Sequence, residues 1–153
     1  MLPAFDSDVA WELGTIIRTC LQRKHERPAV VYIALANSTQ LFFATSRPGT
    51  PPDNMHWVKR KEAVVLRCCM SSLRMVKQAQ RGDLPESLKD LFQIADPSVY
   101  AFHGGGFPVR VKNVEGIVGV IVVDGLKQGE DNHGVIVDCI QEYLAIDSPK
   151  YLK

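Results

Sequence analysis

One stretch constrains this chain more than any other: Ala101 to Leu126, AFHGGGFPVRVKNVEGIVGVIVVDGL. Phe107, Val109 and Val111 alternate with Pro108, Arg110 and Lys112, the period of a half-buried strand. Asn113 to Gly116 supplies turn residues for a hairpin loop of more than two residues. Ile117 to Val123 is then nearly all apolar and β-branched, which suits a central strand covered on both faces. If 107–112 runs out and 117–123 returns, Gly104–Gly106 and Asp124–Gly125 lie at the same end of the sheet. Whatever follows Gly125 starts from that end too.

The rest of the chain supplies layers for that hairpin. Asp6, Ser7 and Asp8 offer caps for a helix over about 8–25, with Val9, Leu13, Ile16, Ile17, Cys20 and Leu21 at helical spacing. Strands follow at 29–36 and 40–45, joined by Asn37-Ser38-Thr39. After the loop Pro48-Gly49-Thr50-Pro51-Pro52, the pattern predicts one long helix from Asp53 or Asn54 to about Arg81. Trp57, Val64, Val65, Cys68, Met75, Val76 and Ala79 make one stripe on it, with Lys61 and Ser72 in the same stripe. Leu66, Cys69, Met70 and Leu73 make a second. A helix apolar on two sides is usually buried on two sides, so the second stripe is the expected interface between copies of the chain. A short helix over 85–92, a strand over 99–102 and a last helix over about 131–145 complete the order α-β-β-α-α-β-β-β-α. Hairpins outnumber crossovers, so a mostly antiparallel sheet with helices packed on it is expected. The tail from Asp147 is polar and expected to be loose.

Composition narrows the function classes. The 153 residues fit one domain spanning 1–153, and no repeat or linker calls for a second. A formal charge of +1 gives no global reason to expect nucleic acid or an acidic membrane as partner. No apolar run approaches the ~20 residues that span a bilayer. The acidic start, with Asp6, Asp8 and Glu12, is unlike a secretory signal, and a cytoplasmic location is expected. Cys20, Cys68, Cys69 and Cys139 form no CxxC pair and no zinc spacing, so free thiols and no metal site are expected.

His103-Gly104-Gly105-Gly106 matches the HGGG oxyanion loop of esterases only superficially, because the G-x-S-x-G nucleophile turn is missing. The triplet also fails G-x-G-x-x-G, since Val109 stands at the third glycine position. Two readings stay open: a backbone bend needing positive φ, or a nest of N–H groups for a small anion or a haem propionate. Lys61 follows Trp57 by four residues; it is either a snorkelling lysine or a cation pointed into a pocket. His133 falls in the first turn of the last helix, which places it near His103 by topology. Asp124 at a strand end joins the same neighbourhood.

Taken together, Trp57-Val58-x-x-Lys61, Ser71-Ser72, Ala101-x-His103-Gly104-Gly105-Gly106-Phe107-Pro108-Val109-x-Val111, Gly119 to Leu126, Gln128 and Asn132-His133-x-x-Ile136-Val137 resemble the haem-degrading-domain family. The similarity is greatest to its small cytosolic branch of bacteria and fungi and spans nearly the whole chain. The resemblance implies an α/β fold, a profilin-like α/β/α sandwich with a five-stranded antiparallel sheet, assembled into dimers or larger rings. Related members bind haem, and some are linked to its breakdown. One departure is Asn132-His133-Gly134, where the branch usually has Asp-His followed by an acidic or polar residue.

The resulting expectation is an oligomeric binding module with no catalytic residue evident. Its ligand site comprises Trp57, Lys61, His103, Gly104, Gly105, Gly106, Asp124 and His133 and takes a small anion; another protein is the alternative partner. A haem handler using His103 and His133 is the second expectation.

Overall fold

Alternation along two central strands sets the layers. In the computed structural model, which describes residues 1–83 and 96–147, β1 (Val30–Leu35) and β4 (Gly119–Asp124) pair antiparallel in the middle of the sheet, Val30 opposite Asp124 and Leu35 opposite Gly119. Five of the six β1 residues and all six of β4 are buried, as strands covered on both faces must be. Val31, Ile33, Ile121 and Val123 point to one side. Val30, Tyr32, Ala34, Val120 and Val122 point to the other. The edges are β2 (Gln40–Thr45) beside β1 and β3 (Gly106–Val109) beside β4, in the order β2-β1-β4-β3, antiparallel throughout.

Helix α1 (Ser7–Lys24) lies on the first side. Asp6 caps it, its carboxylate accepting from the Asp8 and Val9 N–H groups. Val9, Leu13, Ile17 and Leu21, one turn apart, are buried in the same apolar cluster as Val31, Ile33, Ile121 and Val123. Each fully buried Leu or Ile contributes about 1.5–3 kcal/mol by leaving water. Helix α4 (Gly129–Asp147) shares that cluster through Val135, Ile136, Cys139 and Tyr143. Helix α2 (Asp53–Cys68) packs on the other side, through Val58 and Val65. The architecture is thus three layers, helix–sheet–helix.

Three expectations need correction. The sheet has four strands, not five. The strand expected over 99–102 is absent: Pro97–Val99 is a turn of 3-10 helix, and the Ala101 N–H donates to the Arg60 carbonyl of α2 instead of to a strand. Part of the missing edge comes from the N-terminus, where Leu2 forms an isolated parallel bridge with Val111.

The single long helix is also two. Cys69 adopts the left-handed conformation (φ 54°) and ends α2, and Ser71 caps α3 (Ser72–Gln80) by accepting from the Arg74 N–H. The break redistributes the second stripe. Leu73 is buried, Leu66 and Met70 are half-buried against apolar clusters, and Cys69 is exposed. The helix expected over 85–92 and the tail beyond 147 lie outside the described residues. Among the described residues no helix is long and apolar enough to cross a membrane.

Candidate functional site

The site begins with parity. Asp124 shares the phase of Val120 and Val122 along β4, so its carboxylate faces α2. On α2, Asn54, Val58, Lys61 and Val65 recur at helical spacing, and all four are buried. Lys61 therefore meets Asp124: Nζ lies 2.7 Å from Oδ1 and 3.3 Å from the Val123 carbonyl. The lysine is 1% exposed and the aspartate 9%. Burial pulls the Lys61 pKa below the ordinary lysine range, opposed by the adjacent Asp124 carboxylate.

The glycines fit around this pair. Gly105 sits at φ +126°, a conformation that suits glycine, and a Cβ there would fall 2.2 Å from the Val123 carbonyl oxygen and 2.9 Å from Lys61 Nζ. Gly104 meets the start of α4 just as closely, since its Cβ would lie 2.2 Å from the Gly129 carbonyl oxygen. The Gly106 N–H donates to Ser72 Oγ at 2.8 Å. All three glycines are thus closely packed, and the triplet lets the chain pass between α2 and α4 and over the ion pair.

Beside the pair lies an open cavity of about 360 Å³, walled by Trp57, Lys61, His103 and Asp124 together with Arg27 and Lys127. Trp57 is its aromatic edge. Its Nε1 donates to Asp53 Oδ2 (3.2 Å), the Arg60 guanidinium lies 4.4 Å over the ring, and His103 stands edge-on with centroids 5.3 Å apart. Arg60 is itself held by two hydrogen bonds to the Tyr100 carbonyl. His103 is exposed at this edge.

Four of the expected site residues, Trp57, Lys61, His103 and Asp124, thus line one cavity. His133 does not line it. Adjacent helical residues point about 100° apart; Asn132 faces the cavity, and the His133 ring packs on Phe107 of β3 at 5.7 Å. The His133 pKa is lowered by burial and by nearby Lys77, and its Nδ1 is buried without a partner among the described residues. Asn54, Asn132, Arg27 and Lys127 also line the cavity, and the sequence reading did not assign them to it. For Asn54 a signal was present, because it lies seven residues before Lys61 on the same helical face. Arg27 and Lys127 reach the site from loops, which carry no periodicity.

The family model described as haem-degrading protein HbpS-like matches residues 5–141. The UPF0303 protein of Mesorhizobium japonicum is 40% identical over 147 residues, covering 96% of this chain and 83% of its own. Among solved structures, the Ybr137w protein superposes with a TM-score of 0.77 at 30% identity, covering 92% of this chain and 79% of its own. A PduOC protein solved in complex with haem superposes with a TM-score of 0.70, covering 90% of this chain and 94% of its own; at 16% identity this likeness is one of fold. Matches of this extent leave one conclusion: the chain is a member of the HbpS-like haem-degrading protein family.

Proposed function

We propose that the protein is a small-ligand-binding module that works as an oligomer, with its ligand held in the cavity beside the Lys61–Asp124 pair. The carrying observation is the convergence of Trp57, Lys61, His103 and Asp124 on one opening of about 360 Å³, within the range of small-molecule sites. No reaction is assigned. Lys61 is bound to Asp124, and the Gly106 N–H is taken by Ser72, so neither is set out as an acid, base or oxyanion donor. The test is native mass spectrometry of the protein isolated from its own cells, repeated for His103→Ala. A small molecule retained by the wild type and lost from the variant, at unchanged melting temperature, supports the reading. A ligand-free protein in both cases overturns it.

Haem is the second reading, and His103 is the observation that favours it. An exposed imidazole held edge-on to Trp57 is a suitable axial donor, and Arg27 and Lys127 could meet propionates. The family and the PduOC–haem complex point the same way. Titration with haem separates the two readings. A Soret band saturating at simple stoichiometry and lost in His103→Ala favours haem.

A further inference from the structure

Two asparagines stand in the cavity wall, and both are almost wholly buried: Asn54 is 9% exposed and Asn132 3%. Asn132 Oδ1 accepts the Leu126 N–H at 3.2 Å. Only the oxygen of the amide can accept, so this bond fixes the amide's orientation and leaves Nδ2 as the remaining donor. Asn54 Nδ2 is buried without a partner among the described residues. Buried donors are costly to leave unpaired, and most in native proteins are satisfied by protein, water or ligand. The unpaired Asn54 donor and the Asn132 amide stand in one wall of the cavity, apart from the glycine loop.

The charges add a second constraint. Among the lining residues, the three cations Arg27, Lys61 and Lys127 face the two carboxylates Asp53 and Asp124, leaving one positive charge over. Lys61 is neutralised by Asp124, and Asp53 accepts from Trp57 Nε1. The surplus therefore rests with Arg27 and Lys127.

We propose that the ligand is a small monocarboxylate, one of whose oxygens accepts from the Asn132 amide and whose charge is met by Arg27 and Lys127. This rests on the cavity being a ligand site. One surplus positive charge matches a monoanion, and the Asn132 amide is a donor for it. A phosphate dianion would bring more charge than the wall offsets, and a neutral ligand would leave the surplus unmet. The edge of Trp57 gives the rest of the molecule an apolar contact.

The test is calorimetric titration of the full-length protein with benzoate, acetate and glycolate as carboxylate probes. Benzamide serves as the neutral match for benzoate, and inorganic phosphate as the dianion. Saturable binding of at least one carboxylate, tighter than benzamide or phosphate, is expected. Asn132→Asp keeps an acceptor for the Leu126 N–H but replaces the NH₂ donor with negative charge. It should weaken carboxylate binding ~10- to 100-fold while the circular dichroism spectrum stays native. Should that variant fail to fold, Lys127→Gln, an exposed position, should still weaken binding several-fold. Benzamide binding as tightly as benzoate, with neither variant affecting it, overturns the carboxylate while leaving the cavity as a ligand site. Failure of every carboxylate to bind overturns the proposal, and a native ligand of another chemistry found by mass spectrometry would then still uphold the site.

Discussion

Lys61 and Asp124 are 63 residues apart in the chain and 2.7 Å apart in the fold. The pair joins the middle of α2 to the last residue of β4, so the helix register and the strand end are fixed together. A lysine aimed freely into the cavity would be a binding group first. This one is paired, and its removal strands a buried carboxylate. Lys61→Met should therefore destabilise the fold by ~3–5 kcal/mol in urea titration. Adding Asp124→Leu should recover much of the loss, because the pair is then replaced by apolar groups. A double variant as unstable as the sum of the singles would show that the two residues act independently.

His133 makes stability pH-dependent. Burial, aided by Lys77, holds its pKa below the ordinary imidazole value of about 6.5. The unfolded chain thus takes up a proton at a higher pH than the native state does. Between those two values the unfolded state binds more protons, so stability rises with pH. The contribution is complete above about pH 6.5 and declines as pH falls toward the native pKa. Urea midpoints for wild type and His133→Leu, compared at about pH 7 and about pH 5, should show a steeper fall for the wild type. Parallel falls would contradict the assignment.

The four cysteines differ in reach. Cys69 is exposed at the helix break, whereas Cys139 is buried beside Cys20 and its thiol pKa is pushed up by burial. Titration with a thiol reagent should label Cys69 first and Cys139 last in the native protein. After denaturation without reductant, all four should react. A shortfall would mean that a disulfide forms in solution.

Much of the fold was legible because burial leaves a period in sequence. Strands β1, β2 and β4 and helices α1 and α4 follow from alternation or helical spacing, and their observed bounds differ from the expected ones by a residue or two. The meeting of Asp124 with the glycines followed from hairpin direction alone. The break at Cys69 was not legible, because its cause is a left-handed cysteine rather than a glycine or proline. His133 was placed by topology, which locates a turn of helix but not the direction of each side chain. The strand over 99–102 failed because a β-like tetrapeptide, Val99 to Phe102, found a helix carbonyl to bond instead of a strand.

Assembly remains the expectation with the clearest surface test. Phe43 is 41% exposed and pairs with Tyr32 on the α2 side of the sheet, beyond the cover of α2. Met55 and Leu66 on α2 are half-buried against the same cluster as Tyr32. Phe43→Glu, and Leu66→Arg with it, should lower the mass measured by light scattering without loss of secondary structure. A wild-type monomer at micromolar concentration would end the idea. Leu73, though part of the expected interface stripe, is buried in the fold and unsuited as a surface probe.

The two edges of the sheet are unequal. Pro108 removes a donor from β3, and the bonds from Leu2 N–H to the Arg110 carbonyl and from Lys112 N–H to the Leu2 carbonyl close the next stretch. No proline interrupts β2. Growth of a ribbon by adding sheet to sheet needs two open margins on every subunit, and among the described residues this chain offers one. Strand-to-strand joining at β2 would therefore be self-terminating: it yields a pair and stops, which guards a crowded solution of the protein against fibres.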